Sequence, residues 1–153
     1  MDLELEWLAG SHRTGAAVAT GVFDLLHRGH VDFLRALAAT GFPVLVGLES
    51  DERVRARKGA GRPLAPIDDR AAVLAELRSV SGVFAISGPA EINGADAYAR
   101  LLSALAPAAL GFTDGDPHRV AKVRGAEQLG AQVVEVPLLP GRSTSHLVAR
   151  LRS

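Results

Sequence analysis

The chain has 153 residues, of which 48% are apolar and 22% charged, the profile of roughly one soluble globular domain rather than a disordered segment. Lysine plus arginine equals aspartate plus glutamate at 17 each, which argues against nucleic acid as a partner, and without cysteine there is no disulfide framework, thiolate metal site or thiol nucleophile. The acidic start "MDLELEWLAG" lacks the order of a secretory signal, and no apolar run reaches the roughly 20 residues that cross a bilayer, so a cytoplasmic enzyme or binding module off the membrane is expected.

One domain over 1–153 is expected, with 1–14 as an N-terminal extension and a core over 15–152. In the extension, Leu3, Leu5, Trp7 and Leu8 pack either on the protein's own sheet or on a partner, such as a second copy in a homodimer. "GAAVAT" (15–20) reads as a short buried strand. Val31, Phe33, Leu34, Leu37 and Ala38 then recur at helical spacing up to a stop at Gly41. "FPVLVGL" (42–48) is a second strand, and "SDERVRAR" (50–57) a short polar helix capped by Ser50. "KGAGRPLAP" is a Gly/Pro-rich loop. A helix is expected over 67–80, capped by Asp68 or Asp69, with Ala72, Val73, Leu77 and Val80 on one face. "GVFAIS" (82–87), "AALGF" (108–112) and "AQVVEVPL" (131–138) complete five strands. Helices over 94–107, 118–130 and 145–151 alternate with them. This alternation predicts an α/β fold, a Rossmann-like three-layer sandwich on a mostly parallel five-stranded sheet with its ligand at the C-terminal strand ends.

The first strand ends in "TGVFDLLHRGH", residues 20–30, where His27 and His30 flank Gly29 at the start of a helix. Residues three apart in a first turn share a face, and the unpaired N–H groups there favour an anion. Two imidazoles donate to phosphate oxygens without a permanent charge near pH 7. The plain alternative is two surface histidines near a helix end. A metal reading lacks a third ligand, since His12, His118 and His146 show no helpful spacing.

Thr20, Gly21, Phe23, Asp24, His27, Gly29 and His30 match the T-x-G-x-F-D-x-x-H-x-G-H signature, so the segment resembles the nucleotidyltransferase superfamily that includes the cytidylyltransferases. "SDERVRARKGAGRPLAPIDDRAAVLAEL" is similar to a segment of the adenylyltransferase domain of ADP-heptose synthase and of glycerol-3-phosphate cytidylyltransferase. "VPLLPGRSTSHLVARL" looks like the closing motif of the same group. The resemblance implies transfer of AMP or CMP from ATP or CTP to a small sugar phosphate, polyol phosphate or phosphonate, with Mg²⁺ carried by the triphosphate and held by few protein ligands. It implies His27, His30 and Lys58 as catalytic groups. The backbone of Thr20, Gly21, Val22 and Phe23, with Gly29, Arg142, Ser143, Thr144 and Ser145, would bind phosphates. The cap reading of Ser143, Thr144 and Ser145 needs only one of the three.

Asp24 is left as metal contact, ribose contact or turn former, and Arg70 as a phosphate contact or a partner of Asp69. Arg78, in "RSVSGV", stands where cytidylyltransferases carry an arginine, but Ser81 replaces the aspartate of that element, and Leu138 stands where they carry another arginine. ATP is therefore slightly favoured over CTP. In "LGFTDGDPH", Asp116 keeps an aspartate of the acceptor element whose lysine and tyrosine are gone, which leaves the acceptor open. The competing reading is a nucleotide-binding module without transfer activity.

Overall fold

The computed structural model describes residues 2–11, 13–138 and 144–152, with backbone alone for 144–147. Its elements are β1 (Glu4–Ala9), β2 (Ala17–Gly21), α1 (Arg28–Ala38), β3 (Val44–Glu49), α2 (Asp51–Lys58), α3 (Ile67–Ala75), β4 (Gly82–Ser87), α4 (Ala95–Ser103), β5 (Ala109–Thr113), α5 (Arg119–Leu129), β6 (Gln132–Val136) and α6 (Thr144–Arg152). Every residue of β3 is buried, as a strand with neighbours on both edges and helices on both faces must be. The sheet order is β1-β4-β3-β2-β5-β6, and all pairs are parallel except β1 with β4. The α/β expectation holds, with a sixth strand added.

That strand lies in the segment assigned to an extension. β1 pairs Leu5 with Ile86 and Trp7 with Phe84, and the two rings of the second pair meet edge to face at 5.5 Å. The apolar residues of 3–8 thus pack on the protein's own sheet. The alternation of β1 was hidden because only six residues carry it and its partner is the distant β4.

The parallel strands order as a doubly wound sheet whose winding reverses between β2 and β5, the place where such folds leave a crevice. Only Ala17 with Ala109 and Val18 with Leu110 are in register there. β2 runs on to Gly21 and β5 to Thr113, so the strands part toward their C-terminal ends. α1 covers one side of this gap by burying Phe33, Leu34 and Leu37. The third expected helix stops at Ala75, and Arg70, Ala71 and Leu74 form its buried face. Ala72 and Val73 are exposed, and Leu77 and Val80 lie beyond its end, so a face drawn through them does not exist. Pro66 is its cap residue, with no side-chain bond from Asp68 or Asp69. Ser50 does cap α2, accepting from Arg53 N at 3.3 Å. No helix among the described residues is long and apolar enough to cross a membrane.

The seat of α1 depends on one missing side chain. A Cβ on Gly111 of β5 would stand 2.3 Å from Cδ2 of Leu37, a side chain with no exposed surface. Gly111→Ala should therefore push α1 outward and cost roughly 1–3 kcal/mol of overpacking strain. Denaturant unfolding of the two proteins checks this, and equal midpoints would show that α1 accommodates the methyl group.

Candidate functional site

A cavity of about 740 Å³ opens at the parted ends of β2 and β5, and Thr20, Gly21, Val22, Phe23, His27, Gly29 and His30 all line it. His27 is the cap residue of α1. Its Nδ1 accepts the N–H of Gly29 at 3.0 Å, and Nδ1 of His30 accepts the N–H of His27 at 3.3 Å. Each ring thus satisfies an orphan backbone donor of the helix start. A neutral imidazole that accepts at Nδ1 carries its proton at Nε2, so the backbone fixes both rings as Nε2–H donors. The rings stack with centroids 3.9 Å apart. Burial, and then the neighbouring His27, push the pKa of His30 down to about 4. At neutral pH, His30 is an uncharged donor.

Phe23 has φ +50°, the left-handed region that costs a non-glycine residue on the order of 1 kcal/mol. Its buried ring packs 5.1 Å from His30, which offsets that cost and backs the imidazole from behind.

A second wall comes from the end of α2 and the loop after it. Lys58 is the last residue of that helix rather than a loop residue, and Gly59 at φ +96° ends the helix. Lys58 lies on the cavity rim, where desolvation and then the Arg62 charge lower its pKa, with Asp24 acting in the other direction. Asp24 is buried. Its Oδ2 accepts from Arg62 Nε at 2.9 Å and Leu64 N at 2.7 Å, and its Oδ1 accepts from Ala65 N at 2.9 Å. Burial acts to raise its pKa, but these hydrogen bonds and the Arg62 charge prevail and hold it below the usual carboxylate value. Of its three alternatives, the turn former is the one these bonds fit. Arg62 also lines the cavity, and its Nη2 is buried with no hydrogen-bond partner among the described residues. An orphaned guanidinium nitrogen in such a place suits an anion.

Two arginines lie elsewhere than the sequence reading put them. Arg70 is fully buried and donates to the carbonyls of Ala65 at 3.0 Å, Val22 at 2.9 Å and Glu49 at 3.1 Å, and to Asp51 Oδ1 at 2.6 Å. It cannot reach a ligand, and its carboxylate partner is Asp51 rather than Asp69. Arg78 is exposed in the turn before β4, at the N-terminal end of the parallel strands and away from the cavity at their C-terminal end, because β4 runs parallel to β3 and β2. A base contact from there is excluded by topology.

Arg142 and Ser143 lie outside the described residues. Thr144 and Ser145 open α6 by backbone, and their side chains are likewise not described. Leu138 lines the cavity.

Asp116 does reach the site, but in partnership with a residue that periodicity alone did not mark. Lys122 of α5 donates to Asp116 Oδ2 at 2.6 Å and to the Thr20 carbonyl at 3.0 Å. A second group not foreseen is a polar wall. Tyr98 of α4 donates to Glu49 and accepts from Arg57 at 3.2 Å, while the wholly buried Arg53 binds Glu49 Oε2 at 2.7 Å and the Pro89 carbonyl at 2.6 Å. The four-residue spacing of Glu49 and Arg53 was the available signal. For Tyr98 and Lys122, distant along the chain, there was none.

No group of three or more histidine or carboxylate side chains among the described residues suits a metal ion. Asp24 and Asp116 are already engaged, so magnesium at this site would have to arrive with phosphates and water as its ligands.

A family model described as cytidylyltransferase-like matches residues 18–106, more than half of the chain. The chain is 39% identical over 138 residues to "Bifunctional protein HldE" of Halorhodospira halophila, covering 89% of this chain and 27% of that protein. It is 42% identical over 134 residues to the protein of the same name from Acidiphilium cryptum, covering 87% and 26%. The chain thus spans about a quarter of the length of the curated relatives it matches. Among solved structures, the fold is similar to a lipopolysaccharide core biosynthesis protein from Thermoplasma volcanium, with TM-score 0.63, 21% identity, and coverage of 83% of this chain and 98% of that one. It is also similar to pantothenate synthetase from Thermus thermophilus, with TM-score 0.59, 22% identity, and coverage of 91% and 62%.

The depressed pKa of His30 has a measurable sign. With a folded value of about 4 against an unfolded value near 6.5, the unfolded chain binds more protons between those pH values. Stability should be complete above pH 6.5 and fall as the pH is lowered toward 4, by no more than about 3 kcal/mol from this group. His30→Asn, which keeps an acceptor for the His27 N–H, should flatten the fall in thermal midpoint over that window. Parallel curves would assign the acid sensitivity to other groups.

Proposed function

The chain belongs to the cytidylyltransferase-like family, and from that premise we propose that it is a nucleotidyltransferase moving AMP or CMP from ATP or CTP to a small phosphorylated acceptor. An oxygen of the acceptor's phosphate or phosphonate attacks the α-phosphorus, the bond to the bridging oxygen breaks, and pyrophosphate leaves. Such a reaction asks little covalent chemistry of the protein and much positioning of charge. The observation that carries this reading is the pair of stacked imidazoles, each held by the helix start as an Nε2–H donor at the parted strand ends. In the proposed roles, His27 and His30 bind oxygens of the triphosphate and of the departing pyrophosphate. The backbone N–H groups of the β2–α1 turn hold the α-phosphate, and Lys58 at the end of α2 bridges triphosphate and acceptor. Arg62, with one nitrogen unpartnered among the described residues, adds positive charge on the same side. The hydroxyls of Ser143, Thr144 and Ser145, with Arg142, are assigned to the β- and γ-phosphates on the sequence motif alone. Magnesium, carried by the triphosphate with water as its other ligands, would supply charge neutralisation there.

ATP is preferred slightly to CTP, because the closing "PLLPGRSTS" resembles the ADP-heptose synthase type and Arg78 is unavailable to a base. A sugar or polyol phosphate or a phosphonate is proposed as acceptor. The protein is proposed to act in the cytoplasm, as a homodimer.

Pyrophosphate release, measured with ATP and with CTP against a panel of sugar and polyol phosphates, tests the reaction and the base together. His30→Ala and Lys58→Ala should each lower kcat by about a hundredfold or more while the fold is retained, the usual cost of removing one charge-stabilising donor. Near-native turnover in either variant removes that residue from the mechanism. Triphosphate binding without pyrophosphate release from any pair would instead make the protein a binding module.

A further inference from the structure

We propose that Lys122 is a phosphate-binding residue at the crevice between β2 and β5, and that Asp116 sets its strength. The inference rests on the nucleotidyl-transfer reading for the identity of the anion and adds a group that neither sequence motif contains.

The ladder between β2 and β5 ends at Val18 and Leu110, so the Thr20 carbonyl lies where the two strands have parted. The ammonium of Lys122 occupies this gap, 3.0 Å from that carbonyl. A carbonyl alone does not call for a cation there. Placing a largely buried ammonium, with its side chain 19% exposed, carries a desolvation cost that a neutral donor would avoid. The charge itself is therefore the informative feature. An ammonium has three N–H donors, and among the described residues Thr20 and Asp116 take two of them. Lys122 lines the same cavity as the two imidazoles, which leaves its third donor able to serve a ligand held against them.

Asp116 is fixed independently, because its other oxygen accepts the N–H of His118 at 2.7 Å at the start of α5. The carboxylate is therefore a permanent counter-charge 2.6 Å from the ammonium. It keeps Lys122 aimed and offsets much of its pull on a phosphate. Removing the carboxylate's charge should tighten anion binding, and removing the ammonium's charge should weaken it. A lysine that merely ties α5 to β2 predicts neither.

The test is calorimetric titration of inorganic tripolyphosphate into the wild-type protein, Lys122→Gln and Asp116→Asn, with thermal melts to confirm folding. Lys122→Gln keeps a donor for the Thr20 carbonyl and loses the charge, and it should weaken binding by about tenfold or more. Asp116→Asn should tighten binding by about threefold or more. Affinities within about twofold of wild type in both variants, weaker binding in both, or no binding by the wild-type protein would overturn the proposal. If Lys122→Gln does not fold, the direction of the Asp116→Asn change decides alone. Pyrophosphate release by the wild type is measured separately. Transfer with no effect of Lys122→Gln on binding removes this inference only, and the binding effects without transfer remove only the transfer reading.

Discussion

The site depends first on one buried guanidinium. Arg70 joins three separate stretches of chain by donating to the carbonyls of Val22 in the β2–α1 turn, Glu49 at the end of β3 and Ala65 in the loop after α2. A cation with no exposed side-chain surface is tolerable only when its donors are satisfied, and Asp51 supplies the counter-charge. Truncating such a group would leave carbonyls and a carboxylate unpaired in the interior. That is why it acts as a fastener and not as a ligand contact. Asp24 mirrors it with the opposite charge, accepting from Arg62, Leu64 and Ala65. Between them, a cation and an anion close the imidazole turn against the lysine segment.

The choice of histidine as helix cap follows from the same electrostatics. Serine or aspartate would satisfy the first N–H groups of α1 equally well. In the proposed function, a carboxylate there would repel the triphosphate, and a hydroxyl would end short of it. An imidazole accepts with one nitrogen and donates with the other, so a single ring both caps the helix and serves the cavity. With the two rings stacked at 3.9 Å, burial and then the neighbouring His27 disfavour protonation of His30, which stays a neutral donor.

Much of this was legible in the amino-acid order. The strand-helix alternation gave the layered sheet, and the His27-Gly29-His30 spacing gave the anion-binding helix start, because both rest on local period and local capping. What was not legible rests on contacts distant along the chain. β1 needed β4, some 80 residues on, to show itself as a strand. Arg70 and Arg78 have the same chemistry in one dimension, and only topology separates a buried brace from an exposed arginine at the other end of the strands. Asp24 lines the cavity as a ligand candidate should, and only the folded chain shows that both its oxygens also accept from the loop after α2. Lys122 lies 102 residues from the carbonyl it caps, so periodicity could mark its helix but not its target.

Under the proposed function, the anchoring of residues 62–65 bears on how substrate capture would be divided between enthalpy and disorder. A Gly/Pro-rich segment of this kind often folds over its ligand as a flap, and ordering a flap removes backbone freedom worth roughly 1–2 kcal/mol per residue. Here Asp24 and Arg70 have already fixed that backbone, and Lys58 stands on the last turn of a helix. Ordering the Lys58 side chain on a ligand would cost at most about 2 kcal/mol of rotamer freedom. In that proposed role, Lys58 would act as one long arm swinging from a helix end, with a small entropic toll and the speed of rotamer exchange rather than loop closure.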